Sequence, residues 1–165
     1  MDEVDRIVAA WQRERPDLDV SPLQVLSRVT RLARYLDRAR SAAFARHELE
    51  TWEFDVLAAL RRSGAPYRLS PGQLVAQTMV TSGTMTNRID RLAGRGLVRR
   101  LPDPADGRGV MVRLEDSGRA LADAALADLL QIERAVLSVL NPAQHEQLSG
   151  LLRDLLTTLE LPASP

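Results

Sequence analysis

The chain has 165 residues, of which 45% are hydrophobic, and its basic and acidic side chains balance to a formal net charge of zero. It contains no cysteine and two histidines, which excludes disulfides, thiol redox chemistry and thiolate metal sites and makes a metal cluster improbable. No apolar run approaches the roughly 18 residues of a membrane span, and the acidic N-terminus does not resemble a secretory signal. We therefore expect one globular domain in the cytoplasm that needs neither a metal nor a cofactor.

Three helices are predicted in the first 62 residues. The first follows an apolar stripe that ends near Pro16 and consists of Val4, Ile7, Val8 and Trp11. Ser21 and Pro22 open a long second helix, whose apolar residues recur at similar spacing at Leu23, Leu26, Val29, Leu32, Ala33 and Leu36. The third helix runs from about Thr51 to Arg62, before Gly64 and Pro66.

Residues 70–94 predict two helices joined by a turn. Ser70 can accept a hydrogen bond from a free amide of the first turn, and Pro71 suits the first helical position because it needs no donor there. This helix ends at about Thr78. Thr81 or Ser82 caps the next helix, which continues to the glycines at 94 and 96.

The second of these helices has one apolar and one polar side. Met85, Ile89 and Leu92 are spaced to face the interior. The polar side carries Thr84, Asn87, Arg88, Arg91 and Arg95, and Gly83 permits close approach. A helix in the DNA major groove presents such a face to base edges and phosphates, although the same pattern alone is also typical of a solvated surface.

A strand-like hairpin follows immediately. Residues 97–101 and 110–114 alternate as strands, and PDPADGRG between them has the composition of a turn. Arg108 near the tip can enter a narrow minor groove, with Asp106 orienting its guanidinium, although the two can also be an ordinary surface pair. A helix-turn-helix followed by such a hairpin is a winged helix.

Positive charge is concentrated in this region, where residues 88–113 hold seven arginines and three aspartates. The predicted fold is mainly α with a small β-wing, in which a winged helix-turn-helix lobe is joined to a dimerisation lobe of N- and C-terminal helices. The residues predicted to contact double-stranded DNA are Ser70, Gln73, Ser82, Gly83, Thr84, Thr86, Asn87, Arg91, Asp106 and Arg108.

Two further helices close the chain. Asp116 can cap a long helix that extends to about Leu140, and Asn141-Pro142 opens the last one. The last helix carries a stripe of leucines at 148, 151, 152, 155, 156 and 159. The small winged lobe cannot cover these faces, so we expect a homodimer whose two reading helices match palindromic half-sites about 34–36 Å apart. A monomeric helical bundle is the alternative.

The order of these parts resembles the MarR family of bacterial regulators over about residues 21–160. The segments that carry the resemblance are EFDVLAAL, LSPGQLVAQ, VTSGTMTNRIDRL, GLVRRLPDPADGRG and VRLEDSGRAL. The resemblance implies a single domain over 1–165, with dimerisation helices in 1–47 and 116–160 and a DNA-binding lobe in 51–114. It also implies a repressor that leaves DNA when a small aromatic anion binds between the lobes.

Two positions depart from the family pattern at helix starts, where Glu50 and Glu115 replace the usual threonine. Glutamate is a poor N-cap, so we expect Thr51 and Asp116, one residue later, to take over the capping. At the wing tip Gly107 replaces one arginine of a pair and leaves Arg108 alone.

The added helix before Ser21 resembles the urate-responsive branch of that family. The resemblance implies a ligand set of Trp11, Asp55, Arg88 and Arg100. Such a set suits a purine anion, which needs an aromatic face, an acceptor for its ring N–H groups and guanidinium groups for its charge.

Each of these four residues also has a simpler interpretation. Asp55 has no cation three or four residues away in its helix, so we expect Arg88 or Arg100 to pair with it, unless it faces solvent or forms a static ion pair. Trp11 is otherwise a core residue, Arg88 a phosphate contact and Arg100 a solvated strand residue. In the ligand hypothesis, the effector takes both arginines from Asp55 and shifts the reading helix.

Other functions are compatible with parts of this pattern. The effector can instead be a phenolic acid or another purine, or there can be none. An enzyme is disfavoured because the chain has no nucleophile–histidine–acid constellation and no phosphate-binding glycine loop. A protein–protein adaptor that uses a degenerate winged helix remains the third class.

Overall fold

The computed structural model describes residues 1–103 and 109–160. Within these ranges the chain forms, in order, α1 (Glu3–Glu14), α2 (Pro22–Ala45), α3 (Thr51–Arg62), β1 (Arg68–Leu69), α4 (Pro71–Thr78), α5 (Ser82–Gly94), β2 (Val98–Pro102), β3 (Val110–Leu114), α6 (Asp116–Leu137) and α7 (Pro142–Glu160). The prediction of a mainly helical fold with a small β-wing is confirmed. None of the helices in the described ranges is long and apolar enough to cross a membrane.

The start of α4 and the start of α5 confirm the predicted caps. Ser70 Oγ accepts a hydrogen bond from the Gln73 amide at 3.2 Å, and Gln73 Oε1 accepts one from the Ser70 amide at 2.8 Å. Thr81, rather than Ser82, caps α5 by accepting from the Thr84 amide at 3.3 Å. Between the helices Met79 adopts a left-handed backbone conformation with φ of 51°, which turns the chain from α4 into α5.

The apolar side of α5 lies in the core as predicted. Met85, Ile89 and Leu92 are fully buried, together with Leu74 from α4 and Leu57 from α3. Burying a large aliphatic side chain contributes roughly 1.5–3 kcal/mol, so these contacts are the main source of the stability of the α3–α4–α5 unit. They also fix which side of α5 remains exposed.

The wing contains one strand that the sequence did not predict. β1 pairs antiparallel with β3, and β3 pairs antiparallel with β2, which gives the order β1-β3-β2. Val98 opposes Leu114, and both are buried on the inner face, whereas Arg99 opposes Arg113 on the other. A two-residue strand such as Arg68–Leu69 is too short to show an alternating pattern.

Two predicted caps are wrong. Helix α3 begins at Thr51, so Glu50 takes the N-cap position, and Glu53 Oε2 accepts from the Glu50 amide at 2.9 Å. Helix α6 begins at Asp116, whose side chain pairs with Arg119 at 3.2 Å. At both positions the helix simply starts one residue earlier, and the reciprocal bond from Glu53 makes a glutamate workable at the start of α3.

Helix α1 packs against α2 through its first two turns. Val4 and Val8 are buried, and Arg28 of α2 binds Asp2 Oδ2 at 2.8 Å and Asp5 Oδ1 at 2.6 Å. Trp11, one turn further on, is 49% exposed, so its interpretation as a core residue is wrong.

The chain divides into two compact units, the first covering Met1–Leu129 and the second beginning at Leu130. In the first unit, α2 exposes large hydrophobic side chains at Val25, Leu26, Val29, Leu32 and Tyr35. In the second unit, Asn141 caps α7 by accepting from the Gln144 amide at 2.9 Å. Helix α7 exposes Leu151, Leu152, Leu155, Leu156 and Leu159.

The first turn of α6 lies directly against the backbone of Leu97, which immediately precedes β2. A Cβ atom at Gly118 would lie 2.2 Å from the Leu97 carbonyl oxygen and 3.0 Å from Leu114 Cδ1. The same carbonyl accepts from the Glu115 amide at 3.0 Å, so it cannot retreat without losing that bond. Gly118→Ala is therefore expected to lower the free energy of unfolding by about 2 kcal/mol, measured by urea denaturation.

The matched control is Gly94→Ala, at the end of α5, where a new Cβ would meet no atom within 4 Å. That change is expected to leave stability equal or to raise it by up to about 1 kcal/mol through helix propensity. If Gly118→Ala unfolds at the same urea concentration as the wild type, the close approach does not constrain the fold.

Candidate nucleic-acid interface

The side of α5 opposite the core is polar, small and open to solvent. Ser82, Gly83, Thr86, Asn87 and Asp90 are all exposed. Thr86 Oγ1 donates to the Ser82 carbonyl at 3.1 Å, which fixes the hydroxyl. Short side chains on a rigid helix allow the close approach that base contacts in a major groove require.

The arginines of α5 border this face on the side of α3. Arg88, Arg91 and Arg95 recur at i, i+3 and i+7, and all three are turned toward the first residues of α3. The sequence placed them with Thr84 and Asn87 on one polar side, and the structure agrees, because Thr84, Asn87, Arg88 and Arg91 line one recess. What the sequence did not show is that α3 holds the arginines, which form the flank of this side.

Trp52 is the centre of this flank, and sequence analysis did not identify it. The Arg88 guanidinium lies 5.3 Å and the Arg91 guanidinium 4.7 Å from the centroid of its ring. Such cation–π contacts contribute about 0.5–1 kcal/mol each at exposed sites. The available signal was the position of a tryptophan in the first turn of a helix, but its partners come from a helix 30 residues later in the sequence.

Glu50 binds both Trp52 and Arg91. Its Oε2 accepts from the indole Nε1 at 2.7 Å, and its Oε1 accepts from Arg91 Nη2 at 2.6 Å. The Trp52 hydrogen bond and then the Arg91 hydrogen bond lower the pKa of Glu50 below its usual value. The carboxylate is therefore ionised at neutral pH, and it stands beside an arginine that was predicted to contact DNA.

Glu53 holds the end of α5 with a buried charge. Its side chain is only 3% exposed, and both carboxylate oxygens lie 2.8 Å from Arg95 Nη1. Oε2 also accepts from the Glu50 amide. Two acid–arginine pairs thus join the start of α3 to the second half of α5, one exposed and one buried.

The remaining predicted DNA contacts lie on α4 and the wing. Ser70 and Gln73 are engaged in their reciprocal cap, which leaves the Gln73 side-chain amino group available. In the wing strands, Arg99 pairs with Glu115 at 2.8 Å and Arg100 pairs with Asp90 at 2.7 Å. Asp106 and Arg108 lie outside the described residues.

The predicted pairing of Asp55 with Arg88 or Arg100 is wrong. Asp55 Oδ1 lies 3.2 Å from Arg40 Nη2, a residue of α2. The cause is tertiary packing, because the stacked rings of Phe44 and Phe54, 4.1 Å apart, bring the end of α2 over α3.

Burial nevertheless raises the pKa of Asp55 above its usual value, while the charges of Arg40, Arg88 and Arg62 act against this rise. Arg88 is therefore close enough to influence Asp55 electrostatically, although it is not the residue that pairs with it.

The four predicted ligand residues are only partly brought together. Asp55 and Arg88 interact electrostatically, and Arg100 is joined to the same helix as Arg88 through Asp90. The Trp11 indole makes no hydrogen bond or ring contact with any residue in 1–103 or 109–160. A recess of about 480 Å³ lies beside Arg88, lined by Trp52, Gly83, Thr84, Asn87, Arg88 and Arg91.

Known proteins that are similar in sequence or in structure share this architecture. Residues 47–109 match the sequence model of the MarR family. The HTH-type transcriptional regulator PecS of Dickeya dadantii is 41% identical over 150 residues, which are 91% of this chain and 90% of that protein. The similarity therefore extends well beyond the winged helix itself.

Two solved structures are similar in fold. A mutant MarR of Escherichia coli complexed with operator DNA superposes with a TM-score of 0.69 at 25% identity, covering 88% of this chain and all of that chain (100%). BpsR of Bordetella bronchiseptica, whose DNA binding is regulated by 6-hydroxynicotinic acid, gives a TM-score of 0.60 at 32% identity, covering 78% and 98%. Winged-helix DNA binding and small-molecule control thus both occur among similar chains.

Proposed function

Because the chain belongs to the MarR family of DNA-binding transcriptional regulators, we propose that it is a homodimeric repressor of a palindromic operator. It is not an enzyme, since its relatives and its fold are those of transcription regulators. In this proposal one α5 helix enters the major groove of each half-site, and a small aromatic anion releases the dimer from DNA.

The exposed face of α5 is the observation that carries the proposal. Helix α5 is fixed by its buried apolar side, and its outward side carries short polar residues. We assign base contacts to Ser82, Gly83, Thr86 and Asn87, and backbone contacts to Ser70, Gln73, Thr84 and Arg91. The wing residues Asp106 and Arg108 complete the proposed set, with Arg108 in the minor groove.

The exposed apolar side chains of α2 and α7 support dimerisation. Each helix leaves at least five large hydrophobic side chains open to solvent, more than the scattered apolar residues of an ordinary surface. We propose that segments 1–47 and 116–160 form the dimer contacts of a single MarR-type domain, and that 51–114 bind DNA. Twofold symmetry then matches a palindromic site.

We propose that the effector is urate or a similar planar anion, bound by Trp11, Asp55, Arg88 and Arg100. Asp55 is half-buried and ionisable, which suits a carboxylate that accepts N–H bonds from a heteroaromatic ring. The response of BpsR to 6-hydroxynicotinic acid supports a ligand of this planar, anionic, nitrogen-containing class.

The contacts in the ligand-free protein define how such a ligand can act. Binding of the anion draws Arg88 from Trp52 and Arg100 from Asp90, and both of these contacts hold α5 in place. The helix then moves relative to α3, and the spacing of the two reading helices no longer fits the operator. Release requires that the ligand bind the DNA-incompetent state more tightly, since equal affinity for both states would shift nothing.

The test of function is selection of duplexes from a random-sequence library by the purified protein, followed by fluorescence anisotropy at several salt concentrations. We expect a palindromic consensus, an affinity that falls steeply with salt, and a dimer by sedimentation. A monomer that binds selected and scrambled duplexes equally would instead fit the protein–protein adaptor.

Urate is expected to release the selected duplex, and Asp55→Asn is expected to weaken urate binding roughly 10- to 100-fold, as for a lost hydrogen bond to a charged group. Because burial raises the pKa of Asp55, acidification protonates this carboxylate at a higher pH than it would protonate an ordinary aspartate. The wild-type response should therefore weaken as the pH falls through that raised pKa. Isothermal titration of urate, xanthine, salicylate and 6-hydroxynicotinate measures both effects.

The control for Asp55→Asn is Asp37→Asn, an equal change of charge at an exposed position on α2. This control should titrate like the wild type. Should Asp55→Asn bind every compound with wild-type affinity, the ligand site lies elsewhere. Should salicylate alone release the duplex, the effector is a phenolic acid.

A further inference from the structure

We infer that Glu50 is a positioning residue that sets DNA specificity by fixing the orientation of Arg91. This inference rests on the proposed function, since it concerns how the arginine flank of α5 meets phosphates. Glu50 itself makes no proposed contact with DNA. Its effect is exerted through Arg91 and depends on Trp52.

Three contacts define the position of the Arg91 guanidinium. Its Nη2 donates a hydrogen bond to Glu50 Oε1 at 2.6 Å, and its Cζ atom lies 4.7 Å from the Trp52 ring centroid. The indole Nε1 bonds the other oxygen of Glu50 at 2.7 Å, so the carboxylate itself cannot rotate freely. Hydrogen bonds to a charged group are short and directional, and an aromatic face restrains the remaining rotation.

Arg91 nevertheless remains available to DNA. Its side chain is 53% exposed, and a guanidinium has five N–H donors, of which one is used by a residue in the described part of the chain. The exposed side chain can therefore offer further donors to solvent-side partners from a fixed plane. A phosphate that lies where these donors point gains a charge-assisted bond without the entropy cost of ordering the arginine.

The negative charge of Glu50 repels phosphates that do not lie where the Arg91 donors point. Its side chain is 57% exposed and lies well within a Debye length, about 10 Å at 0.1 M salt, of any phosphate that contacts Arg91. Non-specific binding depends on mobile cations that follow the backbone in any register. An arginine paired with a carboxylate is fixed in direction, and the carboxylate offsets part of its positive charge. It therefore supports one register of the protein on DNA and disfavours the other registers.

Trp52 has two separable roles in this arrangement. Its ring supports Arg88 and Arg91, whereas its N–H orients Glu50. Trp52→Phe keeps an aromatic ring and removes only the N–H group. If orientation of the carboxylate matters, this variant should change specificity in the same direction as loss of the Glu50 charge, but by less.

The experiment measures the affinity of Glu50→Gln for a duplex selected by the wild type and for a scrambled duplex of the same composition. We expect three- to tenfold tighter binding of the scrambled duplex and an unchanged affinity for the selected one, and therefore a specificity ratio at least threefold lower than that of the wild type. The slope of log affinity against log salt on the scrambled duplex should steepen by about 0.9, which corresponds to one additional phosphate contact.

Glu14→Gln is the matched control, because it removes the same charge at the exposed end of α1 and should leave the specificity ratio unchanged. Thermal unfolding reports whether Glu50→Gln damages the start of α3. Equal weakening on both duplexes, or a specificity ratio within twofold of the wild type, would overturn the inference. A wild type that does not distinguish the two duplexes would instead contradict the proposed function.

Discussion

Arg95→Met is expected to lower the free energy of unfolding by about 3 kcal/mol, as when one partner of a buried ion pair is removed. Arg95 Nη1 lies 2.8 Å from both carboxylate oxygens of Glu53, whose side chain is only 3% exposed. Methionine preserves most of the apolar stem and removes the charge. Glu53 then keeps its bond from the Glu50 amide but has no counter-charge in a poorly solvated position.

The control lies one helical turn away on the same flank. Arg91→Met breaks the exposed Arg91–Glu50 pair, whose side chains are 53% and 57% exposed, and the Arg91 contact with the Trp52 ring, so the expected loss is about 1 kcal/mol. In the double variant Glu53→Gln/Arg95→Met no unpaired charge remains, while the glutamine oxygen can still accept from Glu50. Most of the lost stability should return.

Urea denaturation of the wild type, Glu53→Gln, Arg95→Met and the double variant forms a double-mutant cycle, and Arg91→Met is measured beside it as the control. If Arg95→Met and Arg91→Met lower the free energy of unfolding by the same amount, burial of Glu53 does not control the energetics of its ion pair. A double variant less stable than Arg95→Met alone would show that the carboxylate has a role other than pairing with this arginine.

The parts of the fold that could be predicted from the sequence are those decided by neighbours along the chain. The caps at Ser70 and Thr81 depend on a hydroxyl and an amide three residues apart. The burial of Met85, Ile89 and Leu92 depends on helical period alone. Both kinds of pattern are visible in a linear sequence.

The errors concern contacts between distant segments. Arg40 reaches Asp55 because α2 packs over α3, and no pattern within α3 could show this. Trp52 likewise gains its role from arginines of α5, and β1 exists only because β3 lies beside it. Even the correct prediction of a polar side on α5 did not show that α3 holds its arginines.

The anchoring of the arginines implies a division of labour in DNA binding. On the open face Asp90 pairs with Arg100 of the wing, whereas the arginines of the flank are anchored to α3. Changes of the base-contacting residues of the face should therefore alter sequence preference directly. Loss of a flank arginine should weaken binding to every duplex and reduce the salt dependence, with the larger loss on the selected duplex where Glu50 fixes that arginine. The two classes can be distinguished by measuring each variant on a selected and a scrambled duplex.

The double variant Thr86→Ala/Asn87→Ala is expected to lose roughly 100-fold in affinity for the selected duplex, because good base contacts are worth about 1–3 kcal/mol each. Both side chains are exposed and lie outside the core, so thermal stability should change little. Affinity for the scrambled duplex should be nearly unchanged. The contrasting variant Arg91→Met should weaken binding to both duplexes and reduce the salt slope by about one. Binding of the selected duplex within threefold of wild type by the double variant would show that base recognition lies on another element.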